Sequence, residues 1–250
     1  MLSEKPWKLD RVVLVLLGIF VCCCALSLVG GLAQHFIGKA KPDENSLLYL
    51  VFVTMSLQGS ILLATALFLR VQRISWGEAF GFSSRNMGQA ILLGVLAAII
   101  FFPIGDLLQA ASIELIAKFH IKTPTQQAVT TLQDATALAS RIYLIIFYVS
   151  IGPVGEEILF RGILYPCIKQ AGYPRIALWG TSLAFAAIHV NLPIFIPLLV
   201  LGMVSVWLYE KTNNLLASIT LHGAFNAIEL IIMYFGDYLV QTFTRWFHHH

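Results

Sequence analysis

From Val12 to Leu32 the chain contains no charged residue. An apolar run of this kind matches the roughly 20 residues that an α-helix needs to cross a bilayer. It exceeds the roughly 7–15 residues of a signal-peptide core. Lys5, Lys8 and Arg11 lead into it, and Gly31-Leu32-Ala33 makes a poor cleavage site. Because further runs follow, it reads as an uncleaved first membrane helix. The others are Leu47–Leu69, Gly88–Ala117, Arg141–Tyr165, the shorter Ile176–His189, Pro193–Tyr209 and Leu215–Phe235. A backbone in lipid must satisfy its polar groups internally, and helices do so within one segment. The expected fold is therefore all-α: a polytopic bundle of seven membrane helices, or eight if the fourth run or the tail splits, around a polar intramembrane cavity.

Composition agrees with this reading. Of 250 residues, 58% are hydrophobic and 12% charged, where a soluble domain carries about 25% charged residues. A net charge of +3 is too small to suggest nucleic-acid binding and fits anchoring charges beside a bilayer. The chain reads as one integral membrane domain over residues 1–247, with a motif-bearing core at about 141–234. His248-His249-His250 reads as the remnant of a purification tag. Cys22, Cys23, Cys24 and Cys167 show no metal-binding spacing and read as small buried residues.

Between the apolar runs, Gln34–Asn45 is a polar connector and Ile74–Asn86 an interfacial segment carrying Trp76. Lys118–Ala139 reads as an extramembrane loop with a short helix, and Gly236–Phe247 as an amphipathic tail. Pro103 is expected to kink or break the third span. With the N-terminus inside, the inner side holds Lys5, Lys8, Arg11, Arg70, Arg73, Arg85, Lys169, Arg175 and Lys211. The outer side holds Lys39, Lys41, Lys118, Lys122, Arg141 and Arg245. The excess favours a cytoplasmic N-terminus, and a plasma-membrane location if the source is bacterial.

Ionisable groups at membrane depth are functional candidates by default. Three clusters stand out: Glu156-Glu157-x-x-x-Arg161, Phe185-x-x-x-His189 and His222-x-x-x-Asn226. Each has i,i+4 spacing, which puts its two ends on one helical face. Adjacent helical residues point about 100° apart, so Glu156 and Glu157 cannot face one point. Glu157 precedes Arg161 in the favourable acid-before-base order and is expected to be its structural partner. Glu156 is left to face a cavity, and Gly152-Pro153 is expected to disturb the helix just before it.

A carboxylate and a histidine gripping one water form a general-base pair, here Glu156 with His189. His222 and Asn226 offer two donors of the kind an oxyanion needs. The set matches attack of water on an acyl carbon. Glu156, His189 and His222 would also make a His₂-carboxylate zinc set, although no H-E-x-x-H signature is present. Glu229, seven residues after His222, shares nearly its face. At about 1.5 Å per residue, Glu156 lies about 13 Å, His222 about 12 Å and His189 about 20 Å from the cytoplasmic ends of their spans. The groups are expected to converge in the cytoplasmic half of the membrane, in a cavity open to that side.

The ordered set of three motifs resembles the CAAX protease and bacteriocin-processing family (CPBP, also called Abi), which includes the type II CAAX prenyl endopeptidases. The residues that carry the resemblance are Glu156-Glu157-Ile158-Leu159-Phe160-Arg161, Phe185-Ala186-Ala187-Ile188-His189 and His222-Gly223-Ala224-Phe225-Asn226. The resemblance implies a glutamate-type intramembrane endopeptidase without a cofactor. In it Glu156 and His189 would activate water, and His222 and Asn226 would form the oxyanion site. The implied partners are the lipid bilayer and a membrane protein or peptide substrate, prenylated or not. A zinc-dependent mechanism remains the chemical alternative. A non-proteolytic binding or bacteriocin self-immunity protein on the same fold is the functional one. A transporter is disfavoured because no internal repeat is visible.

Overall fold

The computed structural model describes residues 2–5, 7–37, 46–82, 87–120 and 127–248, with side chains left out at parts of the helix ends. Nine helices and no strand occur among the described residues: α1 (Leu9–Ile37), α2 (Leu47–Gln72), α3 (Trp76–Phe80), α4 (Met87–Lys118), α5 (Gln127–Asp134), α6 (Leu138–Gln170), α7 (Pro174–Ala187), α8 (Leu192–Thr212) and α9 (Leu216–His248). Six of them, α1, α2, α4, α6, α8 and α9, are long and apolar enough to cross a bilayer. The fifth expected span is α7, whose 14 residues fall short of a full crossing. The Lys118–Ala139 segment contains α5 as its short helix, and α4 runs through Pro103 without a break. The 38–45, 83–86 and 121–126 parts of the expected connectors, 249–250 of the tag, and the side chains of the tail beyond residue 236 lie outside the described residues.

The bundle is apolar on its outside, as lipid requires. Leu17, Phe20, Leu48, Leu92, Ile100 and Leu107 are exposed. Because lipid tails are as apolar as leucine, helices are drawn together by close packing of small residues rather than by hydrophobicity. Ala90, Gly94 and Ala98 recur every four residues on the buried face of α4, which packs along α8 and α9. A Cβ on Gly94 would stand 2.6 Å from the Ala217 carbonyl oxygen of α9.

The central helix α6 is continuous but not uniform. Phe147–Ile151 and Ile158–Leu164 are π-helical, and the α-helical Gly152–Glu157 lies between them. Pro153 has no N–H to give the ladder, and the wide turn falls just before it. A π-turn frees carbonyls from their i+4 donors, and these need new partners. The Gly162 carbonyl in the second π-segment accepts from Trp7 Nε1 at 2.7 Å.

Trp7 belongs to an N-terminal strap folded across one end of the bundle. Lys5 N donates to Gln170 Oε1 at 2.8 Å and Gln170 Nε2 returns to Lys5 O at 2.7 Å. Ser3 Oγ donates to Asn213 Oδ1 at 2.8 Å, and Leu2 N to Glu210 Oε2 at 3.1 Å. Lys5 is buried at 4% exposure, and burial draws its ammonium below the usual lysine range. Beside the strap, Leu215 N donates to the Phe80 carbonyl at 2.9 Å. Gly81 has φ +76°, and a Cβ there would meet Asn213 O at 1.9 Å. Strap, α3 and the α8–α9 turn together close this face.

Trp7→Phe keeps the ring against Phe68 and Phe80 and removes only the N–H. The Gly162 carbonyl is then left buried without its partner. A loss of about 1–3 kcal/mol is expected, read as a lower unfolding temperature in detergent.

Candidate active site

The two glutamates diverge as helical geometry requires. Glu157 is fully buried, and its Oε1 accepts from Arg161 Nη1 at 2.8 Å, with both side chains at 0% exposure. The i,i+4 pair expected from the sequence thus forms. Glu156 turns the other way, and its side chain keeps 18% exposure on a cavity of about 410 Å³.

Phe185 organises what surrounds the pair. Its ring lies 4.2 Å from the Arg161 guanidinium carbon, in cation–π range. It meets the His189 and His222 rings edge-on, with centroids at 5.1 and 5.4 Å. On the far side the bare Cα of Gly202 makes room: a Cβ there would stand 2.8 Å from Arg161 Nη2. In the sequence Phe185 stands only as the landmark four residues before His189. No signal in the sequence places it beside Arg161, because the two lie on different helices and meet only through packing.

Both histidines have Nδ1 engaged and Nε2 turned to the cavity. His189 Nδ1 lies 2.8 Å from the Phe185 carbonyl oxygen. A carbonyl only accepts, so Nδ1 carries the hydrogen and Nε2 is free. His222 Nδ1 lies 3.2 Å from Glu157 Oε1. Glu157 therefore has a second partner besides Arg161. Glu156 Oε2 stands 3.9 Å from His189 Nε2 and 3.9 Å from His222 Nε2. The expectation paired Glu156 with His189; the structure sets both imidazoles at equal distance. Glu156 Oε2 is buried and has no hydrogen-bond partner. A spacing of 3.9 Å is too long for a direct hydrogen bond and suits one bridging water.

Asn226 has a second task. It lines the cavity, but its Nδ2 donates to the Tyr148 carbonyl at 2.8 Å. That carbonyl belongs to the first π-segment of α6. One amide hydrogen is thus committed to holding α9 against α6, and one remains. Gly223 permits the approach, since a Cβ on it would stand 2.4 Å from Val149 O. Asp106 and Glu229 face the same cavity farther from the N-terminal strap, beside apolar walls from Phe102, Ile194, Leu198 and Phe225.

The spacing of the donors bears on zinc. Ligands around a tetrahedral zinc, with bonds of about 2.0–2.1 Å, stand about 3.3 Å apart. The 3.9 Å spacings of Glu156 to the two imidazoles are wider. Among the described residues no group of three or more His, Cys, Asp or Glu side chains is arranged to hold a metal ion.

Residues 138–228 match the family model described as Type II CAAX prenyl endopeptidase Rce1-like. The UPF0177 protein YxdF of Lactococcus lactis subsp. lactis (strain IL1403) is 26% identical over 149 residues, covering 56% of this chain and 79% of that relative. No solved structure matches the chain. The matched segment begins with α6 and contains all three motifs, from Glu156 to Asn226.

Removing one partner of the buried pair leaves the other charge unpaired. Arg161→Met is therefore expected to cost about 3–5 kcal/mol, seen as lost monodisperse protein on size exclusion. The double variant Glu157→Gln/Arg161→Met should recover most of that yield. Gly223→Ala, by wedging α9 off the Val149 carbonyl, should lower the unfolding temperature while Gly236→Ala leaves it unchanged.

Proposed function

We propose that this multi-pass membrane protein is an intramembrane endopeptidase using glutamate-activated water, a reading supported by the match of residues 138–228 to the Rce1-like family model. One observation carries the reading: the unpartnered Glu156 Oε2, equidistant from two imidazole Nε2 atoms on a cavity inside the membrane. Water held there gives one hydrogen to Glu156 and is oriented by His189 Nε2. Its oxygen adds to the peptide carbonyl carbon as its proton passes to Glu156. The developing oxyanion is met by His222 Nε2–H and by the second hydrogen of Asn226 Nδ2. Collapse breaks the C–N bond, and Glu156 returns the proton to the leaving amine.

Glu157 and Arg161 support this chemistry from behind. With His222 as imidazolium, Nδ1 donates to Glu157 and Nε2 points into the cavity. Glu156, Glu157, Arg161 and His222 then sum to zero charge, which suits a low-dielectric site. The substrate is a membrane-anchored protein or peptide, prenylated or not. Residues 1–247 act as one integral domain. The Lys/Arg bias supports a cytoplasmic N-terminus, and a plasma-membrane location in a bacterial host.

Purified protein and an internally quenched membrane peptide provide the test. Glu156→Gln and His189→Ala should each lower turnover at least about 10²-fold with unfolding temperature unchanged. Asn226→Ala should lower kcat about 10²–10³-fold. Full activity in Glu156→Gln would overturn the assignment, and absence of turnover by the wild type would favour a binding or immunity role. Stoichiometric zinc, lost together with activity on chelation, would replace the glutamate mechanism with a metal one.

A further inference from the structure

We infer that the candidate site opens to the membrane face opposite the chain's N-terminus, so that the peptide segment to be cleaved approaches from that face. Cleavage rests on the proposed proteolytic function; the direction of opening does not.

Three helices can be measured from the closed face. The strap fixes that face at Gln170 of α6, Glu210 of α8, Asn213 just after α8, and, through Phe80, Leu215 beside α9. At about 1.5 Å per residue, Glu156 stands about 21 Å along α6 from Gln170, and His222 about 10 Å along α9 from Leu215; since the two side chains stand 3.9 Å apart, Gln170 lies farther from the site than Leu215. The cavity wall continues away from the strap on every element. On α6 it uses Phe147 and Tyr148, and on α8 Ile194 and Leu198, near that helix's far end. On α9 it reaches Met233, about 27 Å from Leu215. On α4, which leaves the closed face at Met87, it uses Phe102, Asp106 and Gln109.

Below Glu156 the way is filled. Glu157, Arg161, Phe185, Ile163, Leu215 and Ala217 are all at 0% exposure, and Trp7 of the strap packs in one buried cluster with Ile163 and Leu215. On the other side α7 ends in a turn where His189 keeps 23% side-chain exposure and Val190 is 88% exposed. The short α7 explains the asymmetry. Its 14 residues, about 21 Å, lift His189 to the level of Glu156 and stop, leaving the far half of its place in the bundle unfilled.

A cytoplasmic N-terminus and a cavity open to the cytoplasm, both expected from the sequence, are therefore incompatible on this fold. Substrates are membrane-anchored peptides whose target segment lies on the Val190 side.

Accessibility labelling tests the direction without relying on activity. In a background with Cys22, Cys23, Cys24 and Cys167 replaced by alanine, single cysteines are placed at exposed Tyr173 on the strap face, at exposed Val190, and at Met233 in the cavity. Sealed vesicles of each orientation receive a membrane-impermeant maleimide. Met233→Cys and Val190→Cys should react from the same side, and Tyr173→Cys from the other. Reaction of Met233→Cys from the Tyr173 side, or from neither side, overturns the proposal. The same pattern is expected with Glu156→Gln, which separates this result from the question of proteolysis. A single-pass reporter reconstituted in both orientations then adds the chemistry: cleavage only with its target segment on the Val190 side is expected. Cleavage only from the Tyr173 side overturns the inferred approach, and no cleavage with the labelling pattern intact counts against proteolysis alone.

Discussion

A carboxylate and a guanidinium buried at membrane depth must neutralise each other, and the bundle is arranged around that requirement. Glu157 and Arg161 meet at 2.8 Å with no exposure. Neither could be held there alone, because an unpaired buried charge costs several kcal/mol. The pair in turn fixes its neighbours. Arg161 needs a flat electron-rich partner and finds the Phe185 ring; it needs space and finds Gly202. Glu157 has accepting capacity to spare and takes His222 Nδ1. In this way an ion pair inside one helix sets the position of residues on α7, α8 and α9.

The second device is the irregularity of α6. Two π-segments flank the glutamates, and each presents a carbonyl to a side-chain donor from far away in sequence: Tyr148 to Asn226, and Gly162 to Trp7. Irregular backbone at bilayer depth is tolerated where protein or a polar cavity surrounds it, and here both kinds of surrounding are used. One carbonyl ties α9 to the cavity wall, and the other ties the N-terminal strap to the closed face. The same helix therefore holds both the open and the sealed end of the site.

Sidedness follows from a shortage of residues rather than from a charged gate. A helix of 14 residues cannot fill a membrane-deep position, and where α7 stops, the cavity continues. Its position between α6 and α8 places His189 beside Glu156 and leaves the remaining depth to the apolar walls and to Asp106 and Glu229.

Much of this was legible in the order of residues. Uncharged runs mark the spans because lipid offers the backbone no partners, and the Glu157–Arg161 pair follows from i,i+4 spacing, since both partners ride on one helix. The three motifs could be grouped because intramembrane polar groups are few. What the sequence did not determine are contacts between helices. That Glu156 faces two imidazoles at one distance, that Asn226 spends a hydrogen on Tyr148, that Trp7 reaches Gly162, and that the cavity runs away from the N-terminus all depend on tilt, rotation and closeness of approach. Hydropathy and local spacing do not encode those quantities. They are set by where small residues such as Gly94, Gly202 and Gly223 let backbones and side chains come together, and only the packed tertiary structure decides that.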